Sequence, residues 1–569
     1  MQPNVVETET SAPARAGKRV RRFRMPWIFA LALATVLVLQ GQGEMRLVLT
    51  PPSPEWSRPL TIATASSNRA LAQVALPAGR LMIVWAGEKG FHSYVIGPSG
   101  QVEATSTFLE DQASPSGVRA VVIGDRVDLF WLNFSTHTLW TAAVAPTGQV
   151  LASAQSVASG VTEFAVTTGG TPAGPRLLAL QGGGAAFYVP ASGEGWQRLS
   201  QPTGLGGAVA VDVRGAADGT LYAAVARQDA SGNPNVVHLL AARLAPAGSA
   251  EAFEVAQVSL QPMKEALGSL SLGLDKQNAY IFWDVERNDR GERSTLPRYV
   301  SWPLTQAPDA ALEPQPLRPD PVQPPKASGL SGAYPAPGQF DQLLVAVPAT
   351  IGAGRDRVVE TLELTFEGGK MVRQRLAGPS SSITLQPQLS RTGADRWLTW
   401  VVPLGTQVQL QTGSTAASFR KTAGRWRLPD WLDTIGNTAV NLGFAYLPAL
   451  ISAIWILPVL GFIALSYMLF LNWAERNSLI VNLGGLAIYV VSKIYFSPQM
   501  LFTAKILARM PAWLAAHILW IVLATVVLAA LEVLRKNRLA FSTSVASALA
   551  PLIFYDVILT ALIAAPYFK

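Results

Sequence analysis

The chain has 569 residues, 49% of them apolar and only 14% charged, a balance unusual for a soluble protein and typical of one with a membrane part. It has no cysteine, which excludes disulfides, thiolate metal sites and cysteine nucleophiles. The net charge of +8 is local rather than spread: Arg15, Lys18, Arg19, Arg21, Arg22 and Arg24 precede the first apolar segment, and Arg535, Lys536 and Arg538 lie between two later ones. Basic clusters that flank apolar spans are topology signals, so no nucleic-acid partner is expected.

Residues 1–24 are polar and basic, and read as a disordered cytoplasmic tail. Pro26 to Leu39 is an apolar run, so residues 25–49 read as an uncleaved signal anchor or as a cleaved signal peptide. Both readings place the following region outside the membrane. High Ala, Gly, Pro and Arg without Cys is the composition of a bacterial envelope protein.

A weak repeat follows. Short apolar runs end at Trp85, Trp131, Leu180, Val225, Trp283, Val347 and Trp400, roughly 45 to 64 residues apart, close to one propeller blade. Pro/Gly turns recur after them, most clearly in Val95–Val102 (VIGPSGQV) and Val144–Val150 (VAPTGQV). Pro fixes φ early in such a turn and Gly supplies φ > 0 later. Each unit reads as a four-stranded sheet, and radial packing buries the faces that a lone sheet would expose.

On these features residues 51–425 resemble a seven-bladed β-propeller, in architecture only. No Trp-Asp blade ending, kelch-like Gly-Gly position or Asp-box marks a particular family. The fold expected is an all-β propeller of about seven four-stranded blades, with an α-helical transmembrane bundle after it. Two roles are open to Trp85, Trp131, Trp283 and Trp400: spacers packed between blades, or rings that stack on a ligand. The Pro-dense stretch 312–338 reads as an extended, solvated insertion between blades.

Chemical motifs are missing. The histidines, His92, His137, His238 and His517, have no metal-ligand spacing. No G-x-S-x-G elbow, P-loop or dinucleotide fingerprint occurs, so no catalytic residue, cofactor or metal is expected. The charge-dense stretch with Asp284, Glu286, Asp289 and Glu292 reads as a hairpin tip, since Arg287, Arg290 and Arg293 interleave.

Residues 426–569 read as a four-helix transmembrane domain entered through an aromatic interfacial segment, Arg425–Thr438. The spans expected are Leu442–Leu471, Leu479–Phe496, Ala512–Leu534 and Val545–Tyr567. At about 1.5 Å per residue the first is longer than a core of about 30 Å requires, so Pro448 and Pro458 are expected to kink it. The inside-positive bias gives an inside N-terminus, with Lys505, Arg509 and Lys569 outside. Lys493, His517 and Asp556 fall at similar depth, as a polar relay or as a structural Lys493–Asp556 pair.

The function expected is an integral protein of the cell membrane that presents an extracytoplasmic propeller as a binding, scaffold or sensing module. Its partners are the lipid bilayer, a protein or glycan at the propeller face, and a membrane protein beside the bundle. The alternatives are a transporter or an accessory subunit of one, and an envelope enzyme acting on glycans, which predicts clustered carboxylates on one face of the disc.

Overall fold

The computed structural model describes residues 50–564 apart from 66–69, 88, 114, 169–173, 192–194, 200–203, 230–232, 246–249, 290–291, 324, 352–356, 379–382, 445, 504–509 and 511–514, together with 34, 37, 38, 41, 42, 45 and 49. The basic tail and most of the first apolar segment therefore lie outside the described residues, as do Lys505, Arg509 and Lys569. The chain divides into two compact units, Thr50–Arg425 and the helical remainder.

The first unit is a seven-bladed propeller. Every repeated apolar run forms the second strand of its blade, from Arg80–Ala86 in blade one to Asp395–Leu404 in blade seven. The ring closes through its ends. Leu60–Ala65, before blade one, pairs antiparallel with Gln407–Ser414 as the outer strand of blade seven.

Second strands are apolar throughout because both their faces are buried, against different neighbours. In blade one Leu81, Ile83 and Trp85 face blade seven, while Met82, Val84 and Ala86 face blade two. In blade five Ala279, Ile281 and Trp283 face blade four, while Tyr280 and Phe282 face blade six. The period of two is present, but both phases are apolar, so the pattern reads as a continuous run. The third-to-fourth strand turns hold the expected glycines: at Gly148 φ is +86°, and a Cβ there would meet Ser106 Oγ.

The Pro-dense stretch departs from the solvated insertion expected of it. Gln315–Pro316 forms the outer strand of blade five, and Ala327–Leu330 and Tyr334–Pro335 pair with the second strand of blade six. Leu317, Leu330, Ala333 and Ala336 are buried. Pro is tolerated at these short edge pairings, where no ladder N–H is needed. The buried Gln374 holds the connection: its Nε2 donates to the carbonyls of Asp320 (3.0 Å), Gln323 (2.6 Å) and Pro325 (3.2 Å), and its Oε1 accepts from Asp320 N (2.8 Å). Gln374→Ala removes these part-buried hydrogen bonds at a local cost of about 1–3 kcal/mol. Tryptic cleavage after the exposed Lys326 should then run several-fold faster than in the wild type, and an unchanged rate would show that Gln374 does not hold the loop.

The second unit contains α2 (Leu428–Gly443), α3 (Tyr446–Ile451), α4 (Ala453–Arg476), α5 (Ser478–Phe496), α6 (Ile518–Lys536), α7 (Ala540–Thr543) and α8 (Val545–Ala564); α1 (Ala417–Ala423) ends the propeller. Four stretches are long and apolar enough to cross a membrane: Tyr446–Arg476, Ser478–Leu501, Ile518–Arg535 and Ser547–Ala564. The long first stretch breaks between α3 and α4, with Pro448 in the one and Pro458 in the other. Exposed Leu457, Leu460, Leu465 and Leu469 on α4 suit a lipid solvent. Helix α2 exposes Leu428, Trp431, Leu432 and Ile435 at helical spacing and buries Asp430 and Thr434 on the other side. That is the amphipathic form of a helix lying in a membrane interface. The chain is a membrane protein with a propeller attached.

Candidate functional site

The inner strands of the blades surround the propeller axis, and most of them share an irregularity. Register shifts fall at Ser116–Arg119 in blade two, Val161–Glu163 in blade three, Ala208–Ala210 in blade four, Leu267–Leu270 in blade five and Leu385–Gln388 in blade seven. Each lies opposite the end of that blade's apolar run. A bulge inserts an unpaired residue and re-aims the side chains beside it. Thr162, Val209 and Ser269, inside three of these bulges, are exposed, and Gln386, in a fourth, has φ +49°. The bulges form a collar at one level of the channel.

Charged and aromatic side chains gather at this collar. Arg119, beside the blade-two bulge, is exposed. It senses Asp212, Arg214 and Glu163 from blades three and four, and Tyr334 from blade six. Two of the carboxylates are tied into the scaffold. Asp212 Oδ1 accepts from Val213 N (2.8 Å) and Arg214 Nη1 (3.0 Å), and its Oδ2 accepts from Leu272 N (2.8 Å). Asp284 accepts from Ser269 Oγ (2.5 Å) and Gly332 N (3.3 Å).

Glu163 is placed differently. Burial, then the Asp212 carboxylate, push its carboxyl up to about 7, against the Arg119 charge and a hydrogen bond from the Val211 backbone. Burial pulls the Arg119 guanidinium down, while Asp212 and Glu163 support its charge. Burial and the Asp284 charge raise the Tyr334 phenol. The collar thus offers a guanidinium, a carboxyl that is partly protonated near neutrality, and a phenol.

The tryptophans singled out by the repeat sit elsewhere. Trp85, Trp131, Trp283 and Trp400 are 3, 1, 1 and 0% exposed, and each packs against the preceding blade. Their burial between blades is the position of a spacer. The charge-dense stretch is a hairpin whose pairing converges on Asp289 and Glu292, with residues 290–291 outside the described residues. Among the described residues no group of His, Asp and Glu is placed to hold a metal ion.

In the helical unit Lys493 and Asp556 meet, 1 and 0% exposed. Lys493 Nζ donates to Asp556 Oδ1 (2.7 Å) and Oδ2 (2.6 Å) and to the hydroxyls of Thr525 and Thr560 (2.8 Å each). Tyr489 OH donates to Asp556 Oδ2 at 2.5 Å. The cluster joins α5, α6 and α8. His517 stands outside it, exposed at the residue before α6.

No family model matches this chain, and no curated protein does. Among solved structures it is similar to an α-L-arabinanase of Penicillium chrysogenum, with 10% identity and a TM-score of 0.29 over 42% of this chain and 77% of that one. It is similar to the β-propeller domain of the Trilobed protease from Pyrococcus furiosus, with 7% identity and a TM-score of 0.33 over 59% and 89%. A third is the Kuenenia stuttgartiensis hydrazine synthase, with 12% identity and a TM-score of 0.35 over 60% and 94%. Likenesses this distant carry no argument about activity.

Proposed function

We propose that the chain is a multi-pass protein of the cell membrane, with its N-terminus inside, that holds its propeller outside as a binding module. The collar of bulges is the observation that carries this reading. Five of the seven inner strands bulge at the same level, which re-aims side chains beside the axis, as a ligand site requires and a merely structural disc does not.

The tethering supports it. The two ends of the propeller are fastened side by side: Arg58 Nη1 donates to Ala423 O (3.2 Å), Arg420 Nη1 to Pro54 O (2.9 Å), and Ser57 N to Ser414 O (3.0 Å). The first and last residues of the propeller thus lie side by side. Residues 25–49 are then an anchor, and the basic residues at 15–24 and 535–538 set the inside face. A second reading, an accessory subunit of a membrane complex, keeps the same architecture and adds a partner beside the bundle.

The lack of cysteine makes topology directly testable. Ser135→Cys, on an exposed propeller turn, should react with a membrane-impermeant maleimide in intact cells. Asn537→Cys, exposed beside the basic cluster, should react only after permeabilisation. The opposite pattern overturns the proposal. Affinity capture from gently solubilised membranes separates the two readings, because a stoichiometric membrane partner makes the chain an accessory subunit.

A further inference from the structure

The closing strand Leu60–Ala65 is preceded by residues 54–58, which form no strand of a blade yet reach into two blades. Trp56 is 0% exposed. Its ring packs with Leu344, Ala346 and Ala377 of blade six and with Leu398, Trp400 and Val402 of blade seven. A side chain from outside both sheets therefore fills the space between them. The Arg396 guanidinium lies over the indole, 5.7 Å from its centroid.

Glu55 adds a charged bridge beside this wedge. Its Oε2 accepts from Arg396 Nη2 of blade seven (2.6 Å) and from Arg375 Nη1 of blade six. Arg396 Nη1 also donates to Glu363 Oε1 of blade six (2.5 Å), and Arg375 Nη1 lies 3.9 Å from the same oxygen. Two arginines thus alternate with two carboxylates across the seam. Glu363 is buried, and both arginine side chains are largely so. Without Glu55, two guanidiniums would share one carboxylate, and burial makes the uncompensated charge costly.

We infer that residues 54–58 are a latch that locks blade six to blade seven, so that this seam opens only when the latch leaves it. The inference goes beyond the binding-module reading, since it rests on contacts inside the propeller. The latch is separate from the strand clasp and differs from it in chemistry. The clasp is main-chain pairing within one sheet, whereas the latch is an indole and an ion-pair bridge between two sheets. Blades six and seven share no strand, so side-chain packing must hold their seam, and a residue that fills it has a leverage that one inside a sheet lacks. The latch is seated by its own backbone: Ser57 N donates to Ser414 O, and Ser414 N donates to Ser57 Oγ, at 3.0 Å each. Displacing it would loosen the disc at one seam and leave the others closed.

The test is hydrogen exchange on the full chain in lipid nanodiscs. Trp56→Ala should speed exchange about 10-fold or more in Leu343–Ile351 and Asp395–Leu404, the strands that face the wedge, with blades two to four within about twofold of the wild type. Glu55→Gln should speed the same strands about 2- to 5-fold, the smaller effect of a half-exposed ion pair. Ser57→Cys with Gly413→Cys gives a comparison within one protein. A Cβ built at Gly413 lies 3.4 Å from Ser57 Oγ, within reach of a disulfide, and the chain has no other cysteine. Oxidation pins residue 57, and with it Trp56, in the seam. Exchange in the two strands should then be several-fold slower than in the reduced form, and reductant should restore it. Unchanged exchange in those strands on Trp56→Ala, an equal rise in all seven blades, or equal rates in the oxidised and reduced forms each overturns the inference. Should Trp56→Ala fail to fold, the cysteine pair decides it.

Discussion

Asp556→Ala should destabilise the helical unit by about 3–5 kcal/mol, the cost of leaving a buried ammonium without its counter-charge. Lys493 sits 1% exposed, and its ammonium spends its donors on Asp556, Thr525 and Thr560. Removing the carboxylate leaves two neutral hydroxyls to solvate a full charge and takes the acceptor from Tyr489 OH as well. The paired change Lys493→Met with Asp556→Leu removes both charges at similar volume and should cost much less, since replacing a buried ion pair by apolar groups is often near neutral. Denaturation in graded SDS, or thermal unfolding in one detergent, reads the difference. Equal damage from the single and double variants would mean that the two side chains are not coupled. The geometry favours structure over transport here: with its donors committed to two other helices, Lys493 has little capacity left for a passing ion.

The propeller and the spans were legible because each rests on a local signal. The second strand of a blade is apolar on both faces, so its run stands out wherever it falls, and the four spans announce themselves by length. The collar was not legible. Its bulges fall in strands far apart in sequence, and what brings them to one level is ring closure, which leaves no motif. A faint trace exists in Gly117, at φ +56° inside the blade-two bulge, but a lone glycine in a strand says only that the strand is irregular. The Pro-dense stretch was misread for a related reason. Pro excludes a central strand, but it does not exclude the short edge pairings that Gln315–Pro316 and Tyr334–Pro335 make. Lys493 and Asp556 could be matched by depth along two helices, whereas Tyr489, Thr525 and Thr560 carry no charge to draw the eye. Carboxylates do cluster at the collar, as a glycan-acting enzyme would need, but Asp212 and Asp284 are occupied by backbone N–H groups, which leaves Glu163 without a second free carboxylate among the described residues.

Trp283→Ala should cost about 3–5 kcal/mol in the propeller, as large as any core truncation. The indole is 1% exposed and packs with Ala210, Ala224, Leu272 and Val300 at the interface of blades four and five. Its Nε1–H finds no acceptor among the described residues, so its contribution is volume and contact area rather than hydrogen bonding. Trp283→Phe keeps much of that volume and removes the unpaired donor, so it should cost clearly less, about 1–2 kcal/mol. Thermal or denaturant unfolding of the full chain separates this from a recognition role. A packing residue loses stability in proportion to the volume removed. A ligand-stacking residue would lose binding with stability unchanged, and would tolerate Ala and Phe equally well in the unfolding curve. Because blades touch only their neighbours, the damage should start at one interface and open the ring there, away from the clasp that joins Leu60–Ala65 to blade seven. Hydrogen exchange should then show early loss of protection in blades four and five, while the closing strand stays protected. Early loss at the closing strand instead would place the weak point of the ring at its clasp.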